Sequence, residues 1–208
     1  RFLRGRGVKA MLVACGTVSS NCLDYVQEKA GVPALGVVKP TAREAAEATE
    51  NGRIGVLSTV ATQRSGAFVR ELKALEPGLE VFASGSPKLV PLVEAGRADP
   101  EVAAAVSECL AGLRDAGVDT LILGCTHFPL LAGAISAYMG SGVRLIDSGA
   151  AGARALARLL GEKGLRSPRR SFGRTACYAS GDAKEFARVA ELFLKRDFSQ
   201  TTFKTAVL

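Results

Sequence analysis

The 208-residue chain contains no tryptophan, one histidine and five cysteines, and no two of the cysteines are spaced as a C-x-x-C pair. Structural zinc sites use four cysteine or histidine ligands at such spacings, so we expect no bound metal. The odd number of cysteines, without the spacing of a disulfide framework, predicts reduced thiols and a cytoplasmic location. No apolar run approaches the roughly 18 residues of a membrane-spanning helix, so we expect no membrane contact.

A basic surface large enough for nucleic acid is also lacking, although the net charge is +7. Residues 1–9 carry four basic residues and no acid, and residues 161–174 carry five basic residues and one acid. The rest of the chain has 18 basic and 19 acidic residues. A nucleic-acid interface needs a basic stripe backed by groups that read or stack on bases. Two isolated basic segments indicate a solvated terminus and a solvated loop instead.

The chain does contain a repeated pattern of short apolar runs, each followed by an amphipathic stretch. This pattern is typical of α/β proteins with parallel sheets flanked by helices. It predicts strands at residues 8–14, 34–38, 54–57, 79–83, 120–123, 143–146 and 175–178. Helices are predicted at residues 17–30, 41–50, 61–76, 87–95, 100–116, 129–139, 149–163 and 183–195. Thr41 and Glu44 have the spacing of a capping box at one helix start, and residues 164–173 have the composition of a linker.

Two of the cysteines come just after the ends of predicted strands. Cys15 comes after Met11-Leu12-Val13-Ala14, and Cys125 comes after Leu121-Ile122-Leu123-Gly124. Ligands bind at the carboxyl ends of parallel strands, where helix N-termini stabilise a thiolate as a base or nucleophile. Cys22, Cys109 and Cys177 lie within predicted helices or a strand, where cysteine is commonly a small buried apolar residue.

The segments around these two cysteines, Val13-Ala14-Cys15-Gly16-Thr17 and Gly124-Cys125-Thr126-His127-Phe128-Pro129, resemble the paired signature motifs of the glutamate racemase family. This family belongs to the cofactor-independent aspartate/glutamate racemases. The resemblance continues through residues 54–68, 86–94 and 145–149 and covers nearly the whole chain. It implies an α/β fold of two similar lobes, with the active site in the cleft between them. One lobe would comprise residues 1–38 with 149–208, and the other residues 39–148.

The resemblance implies that glutamate is the small-molecule substrate and that no cofactor takes part. Racemisation removes an α-proton from one face of an amino acid and returns a proton to the other, so each face needs its own acid–base group. The resemblance assigns these catalytic roles to Cys15 and Cys125, with His127 and Glu94 in support. It assigns substrate binding to Gly16, Thr17, Thr59, Thr126 and His127. It further implies a role in supplying D-glutamate for peptidoglycan. A homodimer is compatible with the resemblance.

This sequence departs from the family pattern in two places. Gly16 stands where the family commonly has asparagine. Glycine lacks the side-chain amide of asparagine but keeps a backbone N–H that ligands can approach closely. The family's opening strand with its Asp-Ser pair and its later Pro-Tyr-Gly loop have no counterpart. We therefore expect the N-terminal strands of the first lobe to be missing from this chain and its activity to depend on them.

Three alternative readings remain. A related aspartate or hydantoin racemase would share the two thiols but prefer another substrate. A truncated, inactive binding module would keep the fold without catalysing proton exchange. A redox protein would instead form a disulfide between Cys15 and Cys125.

Overall fold

The computed structural model describes residues 1–96, 99–169, 171, 173–194 and 201–206. The chain divides into two compact units. The first comprises Arg1 and Leu3–Leu165, and the second comprises Phe2 and Arg166–Leu208. The boundary after Leu165 falls inside the predicted linker 164–173, of which residues 170 and 172 lie outside the described part of the chain.

The first unit contains two parallel sheets. The smaller sheet pairs β1 (Met11–Val13) with β2 (Ala34–Gly36). The larger sheet has the strand order β4-β3-β5-β6 and consists of β3 (Arg53–Ser58), β4 (Glu80–Gly85), β5 (Thr120–Leu123) and β6 (Arg144–Asp147). Each of the six strands overlaps a predicted one.

Helices connect the strands, as parallel pairing requires. They are α1 (Gly16–Asn21), α2 (Leu23–Ala30), α3 (Val38–Ala48), α4 (Val60–Ser65), α5 (Ala67–Leu75), α6 (Leu89–Glu94), α7 (Asp99–Asp115), α8 (Ala132–Met139) and α9 (Ser148–Glu162). Two 3-10 helices, Arg4–Arg6 and Phe128–Leu131, complete the first unit as described.

Three of the predicted helices are divided in the structure. Residues 61–76 form α4 and α5 because Gly66 adopts a left-handed conformation with φ +63°. Residues 17–30 form α1 and α2, with a break at Cys22. The Ser20 hydroxyl and the Asn21 amide donate to the carbonyls of Gly16 and Thr17 in α1, and such local hydrogen bonds compete with regular helix. Residues 129–139 begin as the 3-10 helix and continue as α8.

The predicted capping box at Thr41 and Glu44 is wrong. Helix α3 begins at Val38, so Thr41 lies inside it, fully buried, and its hydroxyl donates to the Val37 carbonyl at 2.6 Å. Glu44 accepts hydrogen bonds from Arg154 of α9 instead. The apolar pattern continues N-terminally through Val37 and Val38, and burial of these two valines extends the helix beyond its polar signal.

The core of the first unit is centred on β3 and β5. All four residues of β5 are buried, as are the last five of β3. Helices α3 and α5 cover one face with small and large apolar side chains, including Ala42, Ala45, Phe68 and Leu72. Burial of apolar side chains stabilises a domain by about 25 cal/mol for each Å² of apolar surface removed from water. The end of β5 therefore lies within the most buried part of the first unit's larger sheet.

The second unit contains β7 (Thr175–Ala179), α10 (Ala183–Leu194) and β8 (Thr201–Thr205), with β7 and β8 parallel. The sequence predicts β7 and α10, although residue 195 of the predicted helix is outside the described ranges. It does not predict β8, which reads Thr-Thr-Phe-Lys-Thr and is mostly polar. Within this strand Phe203 is half-buried, and its ring packs edge-on against Phe186 with the ring centroids 5.8 Å apart.

The predicted fold class is confirmed, because the chain forms parallel sheets flanked by helices. The assignment of residues 1–38 with 149–208 to one lobe and 39–148 to the other stays a prediction. Among the described residues, no helix is long and apolar enough to span a membrane.

Candidate active site

The two strand-end cysteines lie on neighbouring loops of the first unit. Cys15 is the N-cap residue of α1 and is exposed, whereas Cys125 follows β5 and is only 8% exposed. The loops approach closely through the glycine beside each cysteine. A Cβ atom placed with ideal geometry on Gly16 would lie 2.2 Å from the carbonyl oxygen of Gly124. Backbone contact at this point therefore brings Cys15 and Cys125 to the same part of the molecule.

Burial raises the pKa of the Cys125 thiol. Hydrogen bonds from the backbone N–H groups of His127 and Thr126 and from the Thr126 side chain act in the opposite direction, and the electrostatic influence of Cys15 adds to the rise. A thiol with a raised pKa is protonated at neutral pH. Cys125 is thus held in the form that can donate a proton.

The histidine predicted to support catalysis is oriented by Glu94. Its Nε2 atom lies 2.8 Å from Oε1 of Glu94, the last residue of α6. A carboxylate only accepts hydrogen bonds, which assigns the proton to Nε2 and leaves Nδ1 of a neutral ring as the acceptor. Nδ1 lies 3.3 Å from the Thr126 hydroxyl and 3.8 Å from the Cys125 sulfur. Glu94, His127, Thr126 and Cys125 therefore form one connected group, in which Glu94 is more than half exposed.

Three threonine hydroxyls form a second group, which links α1 to α4. Thr17 Oγ1 lies 2.9 Å from Thr59 Oγ1 and 3.3 Å from Thr62 Oγ1, and the Thr59 hydroxyl donates to Thr62 at 3.0 Å. Thr59 also caps α4, because its Oγ1 accepts from the backbone N–H of Thr62. The structure thus brings together Thr17 and Thr59, which were predicted from separate motifs.

Thr62 is a member of this group that the sequence reasoning missed. It is 2% exposed, and its hydroxyl reaches the other two across 45 and 3 residues of chain. A hydroxyl residue three positions after an N-cap threonine was the available signal. That spacing is also met in plain helix starts, so it does not by itself indicate a site.

The described residues contain no group of three histidine, cysteine, aspartate or glutamate side chains that could hold a metal ion. All five cysteines are free thiols. The candidate site therefore consists of two thiols, one carboxylate-oriented imidazole and a set of hydroxyls. Such groups perform proton transfer between a carbon acid and sulfur.

The chain belongs to the Asp/Glu/hydantoin racemase family, whose sequence profile matches residues 1–156. Within that family its relatives include glutamate racemases. The chain is 41% identical over 194 residues to the glutamate racemase of Geobacter metallireducens. This alignment covers 93% of the chain and 72% of the relative. The chain is 43% identical over 206 residues to the glutamate racemase of Beutenbergia cavernae. That alignment covers 90% of the chain and 68% of the relative.

Solved structures agree with the sequence relatives. A glutamate racemase from Bacillus anthracis superimposes with a TM-score of 0.89 at 32% identity, over 100% of this chain and 76% of that structure. The glutamate racemase of Francisella tularensis in complex with D-glutamate superimposes with a TM-score of 0.86 at 28% identity, with the same coverage. The predicted membership of the glutamate racemase family is therefore confirmed.

Proposed function

We propose that this chain interconverts L- and D-glutamate by a two-thiol proton transfer, with Cys15 and Cys125 as the catalytic residues. The observation that supports the proposal is the contact between the two cysteine-bearing loops at Gly16 and Gly124. Two thiols on opposed loops provide one acid–base group for each face of an α-carbon placed between them. The similarity to glutamate racemases identifies glutamate as the amino acid.

In one direction the Cys15 thiolate removes the α-proton, and the electron pair of the C–H bond moves toward the α-carboxylate. The Cys125 thiol then delivers its proton to the opposite face of the same carbon. The reaction leaves Cys15 as a thiol and Cys125 as a thiolate, which is the starting state for the reverse direction. The buried, protonated Cys125 favours this assignment for an enzyme at rest at neutral pH.

In a cofactor-independent racemase, hydrogen-bond donors must stabilise the negative charge that develops at the α-carbon and its carboxylate. We assign this role and the binding of the two glutamate carboxylates to the hydroxyls of Thr17, Thr59 and Thr126, the backbone N–H of Gly16 and the imidazole of His127. Glu94 positions His127 and holds the proton on Nε2. Glu94 is therefore a positioning residue in this mechanism.

The most direct test is exchange of the glutamate α-proton. Incubation of L- or D-glutamate with the protein in deuterated water, without pyridoxal phosphate, should remove the α-proton signal from the NMR spectrum and form the other enantiomer. A signal that persists with folded protein would contradict the proposal. Aspartate and a hydantoin, assayed in parallel, test the related racemases, and binding of glutamate without exchange would identify an inactive module.

We further propose that the enzyme works in the cytoplasm and supplies D-glutamate for peptidoglycan. The five free thiols support a reducing compartment. Glutamate is the small-molecule partner, and nucleic acid and membrane are not partners in this proposal. Measurement of the mass in solution tests the homodimer that the sequence leaves open.

A further inference from the structure

We propose that the contact between Gly16 and Gly124 sets the separation of the two thiols, so that Gly16 is a positioning residue for racemisation. Gly16 directly follows Cys15, and Gly124 directly precedes Cys125. Any change in the distance between the two glycines therefore changes the distance between the two cysteines. This inference rests on the proposed function and deepens it.

The approach leaves no room for a side chain at position 16. A Cβ on Gly16 would lie 2.2 Å from the Gly124 oxygen and 3.3 Å from its carbonyl carbon, whereas ordinary contact begins near 3.4 Å. Gly16 is the first residue of α1 and has no left-handed backbone conformation. Glycine is needed here because of the close approach, and not because of its conformational freedom.

Hydrogen bonds hold both loops in place. The N–H of Gly124 donates to the Leu57 carbonyl at 2.8 Å. A Cβ on Gly124 would lie 3.1 Å from both Phe68 and Ser58, so the core closely surrounds this residue as well. On the opposing side, the hydrogen bonds of Thr17 fasten the first turn of α1 to α4.

A side chain at position 16 must therefore displace the Cys15 loop by about 1 Å, the difference between the observed approach and ordinary contact. Displacement of a reacting group by this distance costs about 100-fold in rate. Asparagine, which the family resemblance implies at this position, also has a Cβ atom. In this chain we expect that substitution to lower the activity and not to restore a binding group.

The test compares Gly16→Ala with Gly112→Ala. Gly112 lies in α7 with open space where its Cβ would be, so the same chemical change there disturbs no contact. Two rates are measured in deuterated water: inversion of glutamate, and exchange of the α-proton with retention of configuration. Inversion needs both thiols. Exchange with retention needs one, which removes the α-proton, exchanges it with solvent and returns a deuteron to the same face.

We expect Gly16→Ala to lower kcat for inversion about 100-fold. Exchange with retention should fall less for the enantiomer that presents its proton to Cys125, so the ratio of inversion to exchange falls about 10-fold or more. That ratio does not depend on how much protein is folded. Gly112→Ala should leave both rates unchanged, and Gly16→Asn should behave like Gly16→Ala.

Several results would overturn the inference. One is a Gly16→Ala variant with the wild-type ratio of inversion to exchange, and another is a Gly16→Asn variant with higher activity than the wild type. A third is a Gly16→Ala variant that no longer folds, because this result would show that the contact maintains the fold and not the thiol separation. A wild-type protein that neither inverts nor exchanges glutamate would refute the proposed function itself. The wild-type arm therefore separates the two failures.

Discussion

The two strand-end cysteines resemble each other in sequence but lie in different surroundings. Cys15 follows β1, a three-residue strand of a two-stranded sheet whose residues are half-buried, except for the buried Gly36 at the end of its partner β2. Cys125 follows β5, which is an inner strand of the four-stranded sheet. Every residue of β5 is buried. The same local pattern thus produces one exposed and one buried thiol.

This difference has a chemical consequence. Burial raises the pKa of Cys125, and His127, itself oriented by Glu94, lies beside the same thiol. The Cys15 side is instead shaped by the hydroxyls of Thr17, Thr59 and Thr62. The two cysteines therefore have different chemical surroundings, because the two sheets bury their strand ends to different extents.

The largest expected effect is the loss of either thiol. Cys15→Ser and Cys125→Ser should each lower the rate of racemisation by about 1000-fold, within the range attributed to general acid–base groups, because a hydroxyl is too weak an acid to replace a thiol. A chiral assay of glutamate measures the rate. Cys22→Ser, Cys109→Ser and Cys177→Ser are the controls and should keep the activity. Equal losses from all five, at unchanged thermal stability, would refute the assignment.

The two strands should also differ in their contribution to stability. Leu123 in β5 is 2% exposed, and Leu123→Ala should lower the free energy of unfolding by about 2–5 kcal/mol, as for other buried leucines. Leu12 in β1 is half-buried against Gly152, so Leu12→Ala should cost about half as much. Denaturant titration measures both values. A larger loss for Leu12→Ala would reverse the comparison.

The raised pKa of Cys125 predicts a dependence of stability on pH. The folded protein holds the Cys125 proton to higher pH than the unfolded chain does, so its contribution is present below the ordinary cysteine pKa of about 8.5 and is lost as the pH rises above it. Relative to Cys125→Ser, the wild type should become less stable as the pH rises from 7.5 to 9.5 and above. Thermal unfolding of both proteins across this range provides the measurement. A difference that stays constant with pH would show that burial does not shift this thiol.

The smallest effect is expected at Glu94. Its pair with His127 is more than half exposed on the carboxylate side, and exposed pairs contribute about 0.2–1 kcal/mol. Glu94→Gln should therefore lower kcat only by about two- to five-fold, with little change in KM. The matched control is Glu108→Gln, which breaks the exposed Lys88–Glu108 pair and should leave kcat unchanged. A loss as large as that of Cys125→Ser would make Glu94 a catalytic residue.

Much of the fold follows from local patterns. Apolar runs bounded by polar or glycine residues predict every strand of the first unit, and β5 at residues 120–123 agrees at both ends. Errors arise where tertiary burial overrides a local signal, as for Thr41 inside α3. They also arise where a polar strand such as β8 is stabilised by pairing with β7 and by an aromatic contact.

By itself, the sequence determines that two cysteines follow strands of a parallel α/β fold, because strand periodicity and chain order are local properties. It also determines that Gly16 and Gly124 flank those cysteines. Only the tertiary structure decides that these glycines touch, that Thr62 joins Thr17 and Thr59, and that Cys125 is buried while Cys15 is exposed. The physical reason is that proximity and burial depend on how distant segments pack. Packing between segments 45 to 108 residues apart produces no periodic pattern in the sequence of either segment.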